Sequence, residues 1–124
     1  MKVESKFSKE IEIIKRASTD IIVVCFTGNV ETSYESIKKS HLDHGLLEIG
    51  FHYIIEWDGK IFMGRHANQM GNLLPELNSK VLYICVIGDQ DDMEMEQSIS
   101  YQMLMEKVSK DFPSCQEIKY FDLN

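Results

Sequence analysis

Four histidines and three cysteines hold most of the chemistry that this sequence of 124 residues could perform. They are His41, His44, His52 and His66, with Cys25, Cys85 and Cys115. Imidazole and thiolate are ready zinc ligands, and near neutral pH they also serve as base and nucleophile. His41 and His44 stand three apart near the end of a helix-like stretch, a spacing that sets two rings on one side and can bind a metal. The same residues also have a structural reading. His41 falls on the apolar face of that helix and His52 inside a buried strand, so both fit core histidines. His66 follows Gly64-Arg65 at the mouth of a polar stretch and reads as an exposed loop residue. Three widely spaced cysteines without a C-x-x-C pair make no disulfide framework, and reduced thiols are expected. Cys25 sits in an apolar strand with no histidine beside it, so no thiolate nucleophile is expected there. Asp89, Asp91 and Asp92 look like the start of a calcium loop. The required Gly and bidentate Glu are replaced by Glu94 and Ser100, so these acids read as a solvated helix start. Met93, Met95, Met103 and Met105 are core fillers or an adaptable binding surface.

These residues are positioned by an alternating series of elements. Ile21 to Phe26 is a continuous apolar run that suits a strand buried on both faces. Thr32 with Glu35 makes a capping box, Tyr34, Ile37, His41 and Leu42 follow at helical spacing, and Gly45 stops the helix. Gly50 to Trp57 alternates, Asp58-Gly59 turns the chain, and Lys60 to Met63 returns it as a hairpin. Residues 64–80 read as a long surface loop of the kind that carries function. Val81 to Ile87 is a second buried strand. A helix with Tyr101, Leu104, Met105 and Val108 on its apolar face ends at Pro113, and Cys115 to Asn124 fits one last short strand. Ile11-Glu12-Ile13-Ile14 fits an edge strand or a short helix. The whole is an α/β fold, a mixed β-sheet flanked by helices, because the hairpin brings antiparallel pairing into an otherwise alternating order.

Composition narrows the function. The chain carries 13 Lys and Arg against 20 Asp and Glu, a net charge of −7, and shows no basic stripe. Nucleic acid and anionic membrane surfaces are therefore not expected as partners. No apolar run is long enough to span a membrane and the N-terminus shows no signal core, so a cytoplasmic protein is expected.

Four stretches carry a family resemblance: residues 18–25; Ser40-His41 through Gly50-Phe51-His52-Tyr53-Ile54-Ile55; Trp57-Asp58-Gly59 through Gly64-Arg65; and Asn78 to Gly88. They resemble the zinc-dependent N-acetylmuramoyl-L-alanine amidases of the phage-lysozyme and peptidoglycan-recognition-protein superfamily. The resemblance covers residues 18–112 of a single domain over 1–124, with 1–17 as an N-terminal extension. It implies a zinc held by two His and one Cys or Asp. The first His would precede Cys25, where Val24 stands, and the second falls on Tyr120; by another anchoring Ile118 stands where the Cys would be. The third lies on a loop past the end at Asn124, so a C-terminally truncated version of the fold is expected. The family's catalytic Tyr is Phe51 here, and its loop His is Leu73.

The resemblance thus implies no metal, no cofactor and no catalytic residue. What is expected is a degenerate amidase-fold protein of phage or prophage origin. It would bind a cytosolic protein partner, as an inhibitor does, or a muropeptide-like ligand. The former cleft would be formed by Val24, Phe51, Arg65, His66, Leu73 and Tyr120, with Arg65 facing an anionic group. A second copy covering an apolar cleft is a further expectation. The alternative is an active amidase with a non-standard zinc site drawn from the four histidines or a cysteine.

Overall fold

The computed structural model describes residues 1–5, 13–46 and 48–122. In chain order they form β1 (Val3–Ser5), β2 (Ile21–Phe26), α1 (Tyr34–Asp43), β3 (Tyr53–Ile55), β4 (Ile61–Met63), β5 (Val81–Val86), α2 (Met95–Asp111) and β6 (Glu117–Asp122). The strands make one six-stranded sheet in the order β1-β4-β3-β5-β2-β6. Only β3 and β4 pair antiparallel; the other neighbours run parallel. The expected mixed sheet flanked by helices is present. The hairpin turns where Gly59, at φ 90, supplies the backbone that other residues resist. There Gly59 N–H donates to Glu56 O at 2.9 Å.

Strands β2 and β5 are apolar throughout because helices cover both faces of the sheet. On one face Val23, Cys25, Tyr83 and Cys85 pack with Tyr34 and Ile37 of α1 and with Ile49 and Phe51. On the other, Ile22, Val24, Phe26, Ile84 and Val86 pack with Leu104 and Val108 of α2. Burying each of these aliphatic side chains stabilises the fold by about 1.5–3 kcal/mol.

Three local details differ from the sequence reading. The α1 cap is Ser33, whose side chain accepts from Ser36 N–H while Ser36 closes the box. Thr32 was the expected cap, but Ser33 is the residue with extended backbone just before the first helical turn. A short β1 adds a strand beside β4 that the polar N-terminus did not announce. The 64–80 stretch is held by contacts on both sides, and Lys15 bridges to Gln69. The alternation expected over 11–14 lies partly outside the described residues, as do Leu123 and Asn124.

Candidate ligand groove and the fate of the zinc positions

A groove of about 320 Å³ opens beside α1, lined by Thr27, Thr32, Ser36, Ile37, Ser40, His41, Phe51 and Leu73. That volume lies at the small end of known ligand sites. Each wall is fixed by backbone chemistry. Thr27 leaves the end of β2, where its hydroxyl accepts from Gly88 N–H at 2.8 Å and donates to Asn29 O at 3.0 Å. These bonds tie the β2–α1 connection to the end of β5. Opposite, Asn78 holds the loop that carries Leu73. Its Oδ1 accepts from Leu73 N–H at 3.2 Å, Leu74 N–H at 3.1 Å and Tyr83 OH at 2.6 Å. Replacing Asn78 with Ala strands the Leu73 N–H and the Tyr83 hydroxyl, while Leu74 N–H keeps Tyr83 Oη at 3.1 Å. The change should cost about 2–6 kcal/mol, at about 1–3 per unmade bond. The shift of the urea midpoint measures it.

His41 lies along the groove with its ring tilted 34° to Phe51 and 5.4 Å away. Its Nδ1 accepts from Gly50 N–H at 2.9 Å. That bond assigns the neutral tautomer with the proton on Nε2. Burial lowers its pKa, and the charges of Arg65 and His44 lower it further. The groove thus offers hydroxyls, one imidazole and an apolar floor of Ile37, Phe51 and Leu73, with no charged side chain in its lining.

The site residues expected from the sequence divide. Phe51 and Leu73 meet in the groove. Val24 and Tyr120 are level with each other on β2 and β6, but both face α2. Val24 packs there with Leu104, while Tyr120 stacks near Phe26 and its hydroxyl reaches that of Tyr101 at 3.5 Å. They do not line the groove, because side chains alternate across a strand and theirs point to the wrong face. The groove-side neighbours are Cys25 and its register partner Phe121. Ile118, like Tyr120, faces α2. A strand that is apolar throughout has no alternation to phase it, so one residue of offset reverses the face.

Arg65 is also displaced from its expected role. Only 5% exposed, it donates from Nε to Ile49 O at 2.6 Å, from Nη1 to Met70 O at 2.7 Å and from Nη2 to Glu48 O at 3.1 Å. A guanidinium spent on three carbonyls does not face a ligand. Nearby, buried Glu48 balances the charge and lies 3.8 Å from Lys38. His66 is exposed and outside the groove lining, its N–H bonded to Gln69 Oε1 at 2.9 Å.

The described residues do not fit the zinc that the resemblance implies. A catalytic zinc takes three converging protein donors. Cys25 is buried, and burial pushes its thiol up to about 11, away from the thiolate a metal takes. Phe121 has no donor. His52 is engaged at both ring nitrogens, accepting from Tyr83 N–H at 2.9 Å and donating to Gln69 O at 2.7 Å. His44 Nδ1 is bonded to Ser40 O at 2.6 Å. Among the described residues no three His, Cys, Asp or Glu side chains converge.

No family model matches the chain. An endolysin of Enterobacteria phage K11 is 28% identical over 85 residues, which cover 66% of this chain and 56% of that protein. The chain thus spans just over half the length of the curated relatives it matches. Among solved structures, the N-acetylmuramoyl-L-alanine amidase LysC from Clostridium intestinale URNW superposes with a TM-score of 0.84 at 21% identity, covering 97% of this chain and 82% of that one. The ectodomain complex of peptidoglycan recognition proteins LCa and LCx, bound to tracheal cytotoxin, superposes at 0.78 with 15% identity, covering 98% and 84%. The chain is a sequence relative of phage endolysins with the fold of the N-acetylmuramoyl-L-alanine amidase and peptidoglycan-recognition-protein superfamily.

Proposed function

We propose that this protein binds a muropeptide-like ligand in the groove beside α1 and leaves its amide bond intact. The observation that carries this is the groove's composition. It has hydrogen-bonding walls and an apolar floor, while the sheet positions beside it bring Cys25 and Phe121 in place of a converging donor set. The floor suits the methyl groups of a peptide stem, and the hydroxyls of Thr32 and Ser40 suit its amides. The His41 ring, protonated on Nε2, is a further donor at the wall. Phe51 brings no hydroxyl to assist an attacking water. A neighbour of the same fold bound to tracheal cytotoxin supports a ligand on this scaffold.

Calorimetric titration with a muramyl peptide tests this. Saturable binding is expected, and Leu73→Asp should weaken it about tenfold or more, equal to about 1.4 kcal/mol, because a carboxylate enters the apolar floor. Circular dichroism checks that the variant folds. No binding by the unaltered protein at millimolar ligand sinks the proposal, as does equal binding by Leu73→Asp.

A further inference from the structure

Strand β6 closes one side of the sheet, and among the described strands it is bonded to β2 alone. No described strand pairs with its outer edge. Three large apolar residues on it are strongly exposed: Ile118 at 41%, Tyr120 at 50% and Phe121 at 42%. An open edge of this kind is a template for another strand, and proteins usually blunt it with charge. Here the charges are arranged differently. Glu117 and Lys119 have opposite sign, stand two apart and face the α1 side, since Val23 of that face is level with Lys119.

That spacing is self-complementary. In an antiparallel pair of β6 strands related by a two-fold axis through Ile118, Glu117 lies opposite Lys119 of the second copy, and the reverse. Ile118 meets its own copy, and Gln116 meets Tyr120. Moving the axis to Lys119 sets two lysines against each other. Moving it to Tyr120 sets Ile118 against Asp122 and Lys119 against Phe121. Opposite charges across a strand pair stabilise it and like charges destabilise it, so the ladder selects the first register.

We propose that β6 is a homodimer interface in which two copies pair antiparallel about Ile118, joining two sheets into one. The occupant is a second copy because the charges of β6 match their own copy in this register, where the Glu117–Lys119 pair, 3.6 Å apart within one strand, is exchanged for two pairs across the interface. This goes beyond the ligand groove and lies on a different edge of the fold, so it stands or falls separately.

Sedimentation velocity on the full chain at physiological salt tests it. A monomer–dimer equilibrium is expected as concentration rises from micromolar towards millimolar. Glu117→Lys and Lys119→Glu should each weaken dimerisation about tenfold or more, and the double variant should restore it to within about threefold. In a Cys115→Ser background, Ile118→Cys should cross-link to itself on mild oxidation and Tyr120→Cys should not. Opposed residues sit about 4.5–5.5 Å apart, within disulfide reach. A monomer at every concentration overturns the proposal. So does a dimer that ignores the charge exchange, or one that cross-links at Tyr120, since each places the contact elsewhere. The cross-linking arm decides the matter even if a charge variant folds poorly.

Discussion

Replacing Arg65 with Met is expected to cost about 3–5 kcal/mol of stability, the range for removing one partner of a buried, hydrogen-bonded charge. Three carbonyls, from Glu48, Ile49 and Met70, lose their donors together. Burial lowers the Arg65 pKa and the Glu48 charge opposes that shift, so the variant also removes one cation near Glu48 and leaves Lys38, 3.8 Å away, to balance it. Met fills the volume but bonds nothing. For a domain with a total stability of about 5–15 kcal/mol, this approaches unfolding. Urea denaturation should show the midpoint falling with an unchanged slope. A loss below about 0.5 kcal/mol, typical of a surface change, would return Arg65 to a ligand-facing role.

The second large effect is on pH. His52 is fully buried and neutral, held between Tyr83 N–H and Gln69 O. Burial pushes its pKa down to about 3; the Gln69 carbonyl opposes the shift, and Arg16 and Arg65 add to it. In the unfolded chain the same ring titrates near 6.5. Between these values the unfolded state binds more protons, so acid favours unfolding. The contribution is whole above pH 6.5 and falls by about 1.4 kcal/mol per pH unit on the way down to 3. His41 acts with the same sign, since its pKa is also lowered. Stability should therefore drop by about 2–3 kcal/mol between pH 6.5 and 4.5. His52→Gln separates this from carboxylate titration. The amide can keep one of the two bonds and cannot protonate, so its slope over that window should be flatter by about one proton. Parallel slopes for the two proteins would show that His52 does not carry the effect.

The elements were legible in the sequence wherever the signal was local. The Asp58-Gly59 turn, the stop at Gly45 and the apolar run over residues 21–26 each depend on near neighbours, and all three stand as expected. Long-range facts were not legible. Nothing in the run of β2 says which side chains face α1, and an offset of one residue exchanged Val24 for Cys25. Arg65 reads as an exposed cation beside a polar loop. Only the folded path of residues 48, 49 and 70 brings three carbonyls round it. The Thr27 bond spans 61 residues. Within the groove, Phe51 and Leu73 came from the family resemblance. In the sequence His41 reads as a core residue or one half of a metal pair; only the fold sets it beside Phe51.

The most direct measurement is to incubate the protein with a muramyl peptide in excess zinc and weigh the products by mass spectrometry. The peptide should remain whole at every time point while a phage amidase control cleaves it. Release of the stem peptide from its muramyl sugar would contradict a non-hydrolytic groove and require a zinc site among these residues.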